Sequence, residues 1–148
     1  MGLAVEDTDA VDIDIEQLLR RVVDDVFGDA VDVVYSPFDK ERFRQFQALV
    51  TSKADPSKQV RLRATYEWFD LRLLDLNVGT VDFDYSDDED EKEAVLRPLA
   101  TAGLAYLLGK YQLDQERTRL LRREKPIVKI IVDGHHWLLG RNSSRIFP

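Results

Sequence analysis

The chain contains no cysteine. That absence removes disulfide frameworks, thiol nucleophiles and cysteine-ligated zinc, and it suits a reducing compartment. Long apolar runs are lacking too: no segment approaches the roughly 20 apolar residues that span a bilayer. The opening MGLAVEDTDAVDID is acidic and lacks the sustained apolar stretch of a secretory signal. Residue 6 is Glu where myristoylation needs Ser or Thr. A cytoplasmic location and no membrane partner follow as expectations. No G-x-S-x-G elbow, glycine-rich phosphate loop or Walker lysine occurs, so phosphoryl transfer and serine catalysis have no visible carrier. No cofactor is expected.

What the chain does carry is charge, 33% of 148 residues, with a net of −7. The distribution is uneven: residues 1–109 hold 12 Lys/Arg against 24 Asp/Glu, whereas residues 110–148 hold 9 against 4. An acidic protein is a poor ligand for nucleic acid, whose affinity rests on neutralised phosphates. The acidic part favours a basic protein partner. The length fits one globular core, read as a single α+β domain at 13–148 behind a flexible acidic tail at 1–12.

Asp133-Gly134 between two apolar runs is a strong two-residue hairpin signal, because a type I′ turn needs φ > 0 at both central positions. The short loop sets the register, with Val132 opposite His135, Ile130 opposite Trp137 and Val128 opposite Leu139. These six share one face, predicted to point into the core. A lone hairpin is marginal in water, so the ribbon at 127–140 must join a larger sheet or lie on a helix.

Ile15, Leu18, Leu19, Val22, Val23, Val26 and Phe27 follow helical spacing, with Asp14 as N-cap and Gly28 just past the end. Val31 to Tyr35 reads as a short strand. Ser36-Pro37 then reads as the start of a second helix, with Phe43, Phe46, Leu49 and Val50 on one face. From Val60 to Trp68 apolar and polar residues alternate, and the alternation resumes in shifted phase at Phe69 and again at Leu74, which favours strands with bulges or bends over the competing helical template; Val81 to Tyr85 continues as a strand. The acidic run from Asp87 leads into an apolar helix through Leu108, with Pro98 as a kink or a new start and Gly103 and Gly109 as places of close approach. Residues 113–124 read as a short basic helix. The fold class is therefore α+β, an antiparallel sheet that includes the 127–140 hairpin, with four or so helices in a single layer on one face.

Four features bear on chemistry. Residues 82–93 place side-chain oxygens at positions 1, 3, 5, 9 and 12 of a calcium loop, but position 6 is Asp87 instead of the Gly that the sharp turn needs. His135 and His136, the only histidines, point to opposite faces of one strand and do not readily share a metal. Carboxylate pairs such as Asp24-Asp25 are too common in an acidic chain to mark a catalytic dyad. The basic group Arg117, Arg119, Arg122, Arg123, Lys125, Lys129, Arg141 and Arg145 reads as solvated, or as lying against the acidic 82–93 segment.

The run Val81-Asp82-Phe83-Asp84-Tyr85-Ser86-Asp87-Asp88, after a β-rich stretch and an N-terminal helix, resembles the YezG-like immunity proteins of bacterial polymorphic toxin systems, which carry an F-x-Y-D-type strand followed by acidic residues. The resemblance implies a non-enzymatic, acidic binding domain, an immunity protein or antitoxin occluding a basic toxin. Asp82, Asp84, Asp87, Asp88, Glu89 and Asp90 would form a ridge of like charge that gains from a cationic partner. Tyr85 and Tyr66 would anchor it. Two other readings stand beside it: a metal-assisted hydrolase using His135 or His136 with carboxylates, and an assembly subunit of a phage or bacterial complex held through the C-terminal hairpin and the IFP end.

Overall fold

Between Val31 and Phe83 the chain runs as one antiparallel meander. Its strands are β1 (Val31–Pro37), β2 (Phe46–Ser52), β3 (Gln59–Ala64), β4 (Trp68–Leu73) and β5 (Val78–Phe83), adjacent in that order. The computed structural model describes residues 13–37, 45–117, 124–141 and 146–147. Alternation sorts the sheet into two faces. Ala48, Val50, Val60, Leu62, Ala64, Phe69, Leu71, Leu73 and Val78 are fully buried on one of them. The register places Leu49, Arg61, Arg63, Asp70, Arg72 and Val81 on the other.

Two helices cover the buried face. The first, α1 (Ile15–Phe27), begins at Asp14, whose carboxylate accepts the amide of Gln17 at 3.1 Å, and stops at Gly28, where φ is +58°. The second, α2 (Glu89–Leu107), is capped by Asp88, which accepts the Asp90 amide at 2.8 Å, and it continues through Pro98 as one helix. Acidic residues in its first turn meet the partial positive charge of the free amides. Gly103 lets α2 lie close to the sheet: a Cβ there would stand 3.1 Å from Leu71 Cδ1. Gly109, by contrast, has open space around it and a φ of +80°, so it ends the helix and admits no neighbour.

The C-terminal part forms a second sheet of β6 (Gln112–Arg117), β7 (Glu124–Val132), β8 (His135–Leu139) and β9 (Ile146–Phe147). The β7–β8 register matches the expectation at every pair from Val128↔Leu139 to Val132↔His135, around a turn with Asp133 and Gly134 at φ of 50° and 78°. Val128, Ile130, Trp137 and Leu139 are buried, while Ile131 and His136 face out. This ribbon packs on α2 and joins the first sheet where Gly79 N–H donates to Gly140 O at 2.9 Å. One continuous core therefore includes α1, both faces of contact on α2, and the two sheets.

The helix content differs from expectation. Among the described residues, two α-helices and two sheets replace four or so helices on one sheet. Ser36 and Pro37 end β1 and do not open a helix, and Phe46, Leu49 and Val50 lie in β2. The spacing misled because Ala48 is small but fully buried, so the true inward set of β2 is 46, 48 and 50. Phe43 lies outside the described residues. Residues 113–117 of the expected basic helix pair antiparallel with β7; a helix of that length has little stability of its own and loses to a ready strand partner. The expected tail at 1–12 also lies outside the described residues.

Candidate functional site

The end of β5 and the N-terminus of α2 meet beside the turn that links β3 to β4. Thr65 builds that turn: its hydroxyl accepts the amides of Glu67 and Trp68 at 3.2 and 2.9 Å and donates to Trp68 O at 3.0 Å. Beneath it lies Lys92, a fully buried lysine on the first turns of α2. Its ammonium donates to the backbone carbonyls of Tyr66 and Asp84, the latter at 3.0 Å, and sits 4.4 Å from the centre of the Tyr66 ring. A buried ammonium without partners would be untenable. Here two carbonyl dipoles and an aromatic face surround it and tie the β3–β4 turn to the chain leaving β5.

Above this anchor the expected site residues divide into two sets. Tyr66 donates its hydroxyl to Asp87 at 3.2 Å, Asp88 caps α2, and Glu89 lies 3.4 Å from Arg21 of α1. Asp84 turns inward and accepts the Ser86 amide at 2.8 Å. Burial opposes ionisation of Asp84, but the Ser86 amide and hydroxyl and the Lys92 charge outweigh it and hold its carboxyl below the ordinary range. Glu93, one turn further along, bonds Arg21 at 2.6 Å and Arg97 at 2.7 Å. These guanidinia hold its carboxyl low against a smaller opposing effect of burial. Much of the acidic run thus fixes its own backbone and joins α2 to α1.

The other set faces solvent. Tyr85 is 69% exposed and Phe83 50%, and their rings stack with centroids 5.9 Å apart and planes 12° from parallel. The exposed carboxylate of Asp90 belongs here, Asp87 and Asp88 are exposed as well although Tyr66 and the Asp90 amide engage them, and Asp82 precedes the pair, accepting the Phe83 amide at 2.9 Å. The expected ridge is therefore shorter in free charge and richer in aromatic surface. Phe83 was not among the residues expected at the site; its alternation with Val81 and Tyr85 marked a strand without saying which face it takes. The register with β4 decides it: Val78 and Thr80 oppose Leu73 and Leu71 in the core, which turns Val81 and Phe83 outward.

The other candidates separate in space. His135 and His136 occupy opposite faces of β8, and among the described residues no group of three or more His, Asp or Glu could hold a metal ion. His135 instead lines a shallow cleft of about 220 Å³ between α2 and the β7–β8 turn, with Arg97, Thr101 and Asp133. Arg97 is already engaged by Glu93 and Asp25. Of the basic group, Lys129 pairs with Asp114 at 3.1 Å and not with the 82–93 segment, and Arg141 is exposed. Arg119, Arg122, Arg123 and Arg145 lie outside the described residues. No helix among the described residues is long and apolar enough to cross a membrane. No protein family, curated protein or solved structure matches the chain.

Proposed function

We propose that this domain is a non-catalytic binding module that captures a basic protein partner on the ridge formed by Phe83, Tyr85 and the carboxylates of 82–90. The stacked, exposed Phe83–Tyr85 pair carries this reading. Two aromatic side chains left in water forgo a large burial gain that a partner would recover. The neighbouring carboxylates add long-range attraction and orientation for a cationic surface. The buried Lys92 anchor and the Arg21 bridges hold the ridge rigid before binding, so little ordering entropy opposes association.

This is the behaviour expected of an immunity protein or antitoxin occluding a basic toxin, and the sequence resemblance points the same way. The hydrolase reading finds no metal-holding cluster among the described residues. The assembly reading relied on the C-terminal hairpin and the IFP end, and Ile146 and Phe147 of that end pair with β8 of the same chain. The binding reading is tested by measuring association with a captured basic partner as a function of salt. Affinity must fall steeply as salt rises, and Asp87→Lys with Asp90→Lys must weaken it further; salt-independent association would contradict it.

A further inference from the structure

The face of the first sheet turned away from the helices carries a row of side chains that neither the core nor the ridge uses. Across β2, β3, β4 and β5 the register aligns Leu49, Arg61, Arg72 and Gly79. Arg61 and Arg72 stand directly opposite each other on neighbouring strands, so both guanidinia rise from one face. The adjacent row contains Gln47, Arg63, Asp70 and Val81. Its charges cancel, because Arg63 Nε donates to both carboxylate oxygens of Asp70 at 3.0 Å.

Arg61 and Arg72 receive no such neutralisation among the described residues. Arg72 Nη2 is held at 2.7 Å by Asn77 Oδ1, a neutral acceptor that positions the group and leaves its charge intact. The strand opposite it carries Gly79, whose missing side chain lets the guanidinium lie against the strand: a Cβ there would stand 3.3 Å from Arg72 Nη1. Arg61 Nε is buried and has no hydrogen-bond partner. Burial and then the nearby Arg63 and Arg72, opposed by Asp70, lower the Arg61 guanidinium from its ordinary value, and it stays charged near neutrality. A protein of net −7 thus concentrates on one patch two positive charges that no described carboxylate pairs with, and leaves a buried donor unused.

We propose that Arg61 and Arg72 form a binding site for a single phosphate monoester. Two uncancelled guanidinia match the charge of a phosphate monoester, about −1.5 to −2 near neutrality, better than that of a carboxylate. Planar guanidinium forks suit the tetrahedral oxygens bidentately. A nucleic-acid polymer fits poorly, because its other phosphates would meet the acidic remainder of the chain. One phosphate group on a small molecule, or on one side chain of a partner, does not incur that repulsion. Leu49 and Val81 flank the pair and supply apolar contact for whatever carries the phosphate.

The test uses the full-length 15N-labelled protein and follows the arginine Nε–Hε resonances during titration with O-phosphoserine, glucose 6-phosphate and, as control, acetate. Both phosphate monoesters are expected to shift the Arg61 and Arg72 signals saturably at dissociation constants on the order of 1 mM. Acetate is expected to bind at least about tenfold more weakly. Lowering pH from about 7.5 to about 5 removes the second ligand charge and is expected to weaken binding severalfold. Among the described residues the charged groups facing the pair are Arg63 and Asp70, and both histidines lie on β8. The tighter of the two monoesters identifies the source, a phosphorylated side chain or a phosphorylated metabolite. The proposal is overturned if neither resonance moves saturably, if acetate binds as well, or if Arg61→Ala, folded by its amide spectrum, binds phosphoserine unchanged.

Discussion

Lys92 donates from its buried ammonium to the backbone carbonyl of Asp84 at 3.0 Å, across the junction between β5 and α2. With its second bond to the Tyr66 carbonyl, this one side chain fixes the base of the proposed ridge. Lys92→Met keeps most of the volume but strands two carbonyls. It is expected to lower unfolding free energy by about 2–3 kcal/mol, read from the urea midpoint. It should also speed amide exchange at residues 84–88. An unchanged midpoint would show that the ammonium contributes nothing net.

Gly79 joins the two sheets, and its backbone tolerates no side chain. A Cβ there would lie 2.6 Å from the Leu71 carbonyl oxygen, a backbone atom, whereas at Gly103 the nearest atom is the movable Leu71 Cδ1 at 3.1 Å. Gly79→Ala is therefore expected to destabilise the protein by more than about 2 kcal/mol, and Gly103→Ala by less. Thermal unfolding of the two variants side by side checks the order.

Acid should loosen the contact between α1 and α2. Glu93 has a folded-state value below its unfolded one, about 4.3, because Arg21 and Arg97 bond its carboxylate. Its contribution is complete above that value and disappears as pH falls through the folded one. The pair is partly solvent-screened, so the loss is about 1 kcal/mol or less. Glu93→Gln is expected to flatten the stability profile below about pH 4.5, and urea titrations across that range measure it.

Alkali acts at the opposite end of α2. Burial, and then the hydrogen bond to Asp75, raise the Tyr106 hydroxyl well above its ordinary value. A raised folded value means full stabilisation below the unfolded value of about 10 and progressive loss as pH rises beyond it. Stability is expected to fall above about pH 10, with Tyr106 resisting ionisation until the chain unfolds. Tyr106→Phe should remove that part of the alkaline decline, as ultraviolet titration and unfolding would show.

Legibility in the sequence followed the number of constraints acting on each stretch. The 128–139 hairpin was readable to the residue because Asp133-Gly134 admits one turn geometry and one register. Helix α1 was readable because its spacing, cap and terminal glycine agree. The β2 strand was not, since Phe46, Leu49 and Val50 satisfy a helical face while Phe46, Ala48 and Val50 satisfy a strand face, and only the neighbours β1 and β3 decide between them. Within the site, the carboxylates were visible as a charge run, but Asp84 turning inward and Phe83 turning outward depend on the register with β4, which no local pattern encodes. Lys92 was hidden for the opposite reason: one lysine in an acidic run reads as solvated, yet it is buried.

The most direct test is a pull-down from native-host lysate at low salt with the full chain and with Phe83→Ala/Tyr85→Ala, a double variant that removes exposed rings and leaves the core untouched. The account predicts that the native chain retains one basic protein in stoichiometric amount, released by a salt gradient, and that the double variant retains at least tenfold less, about 1.4 kcal/mol or more of binding energy. Equal recovery by both chains, or no basic protein bound to either, would contradict it.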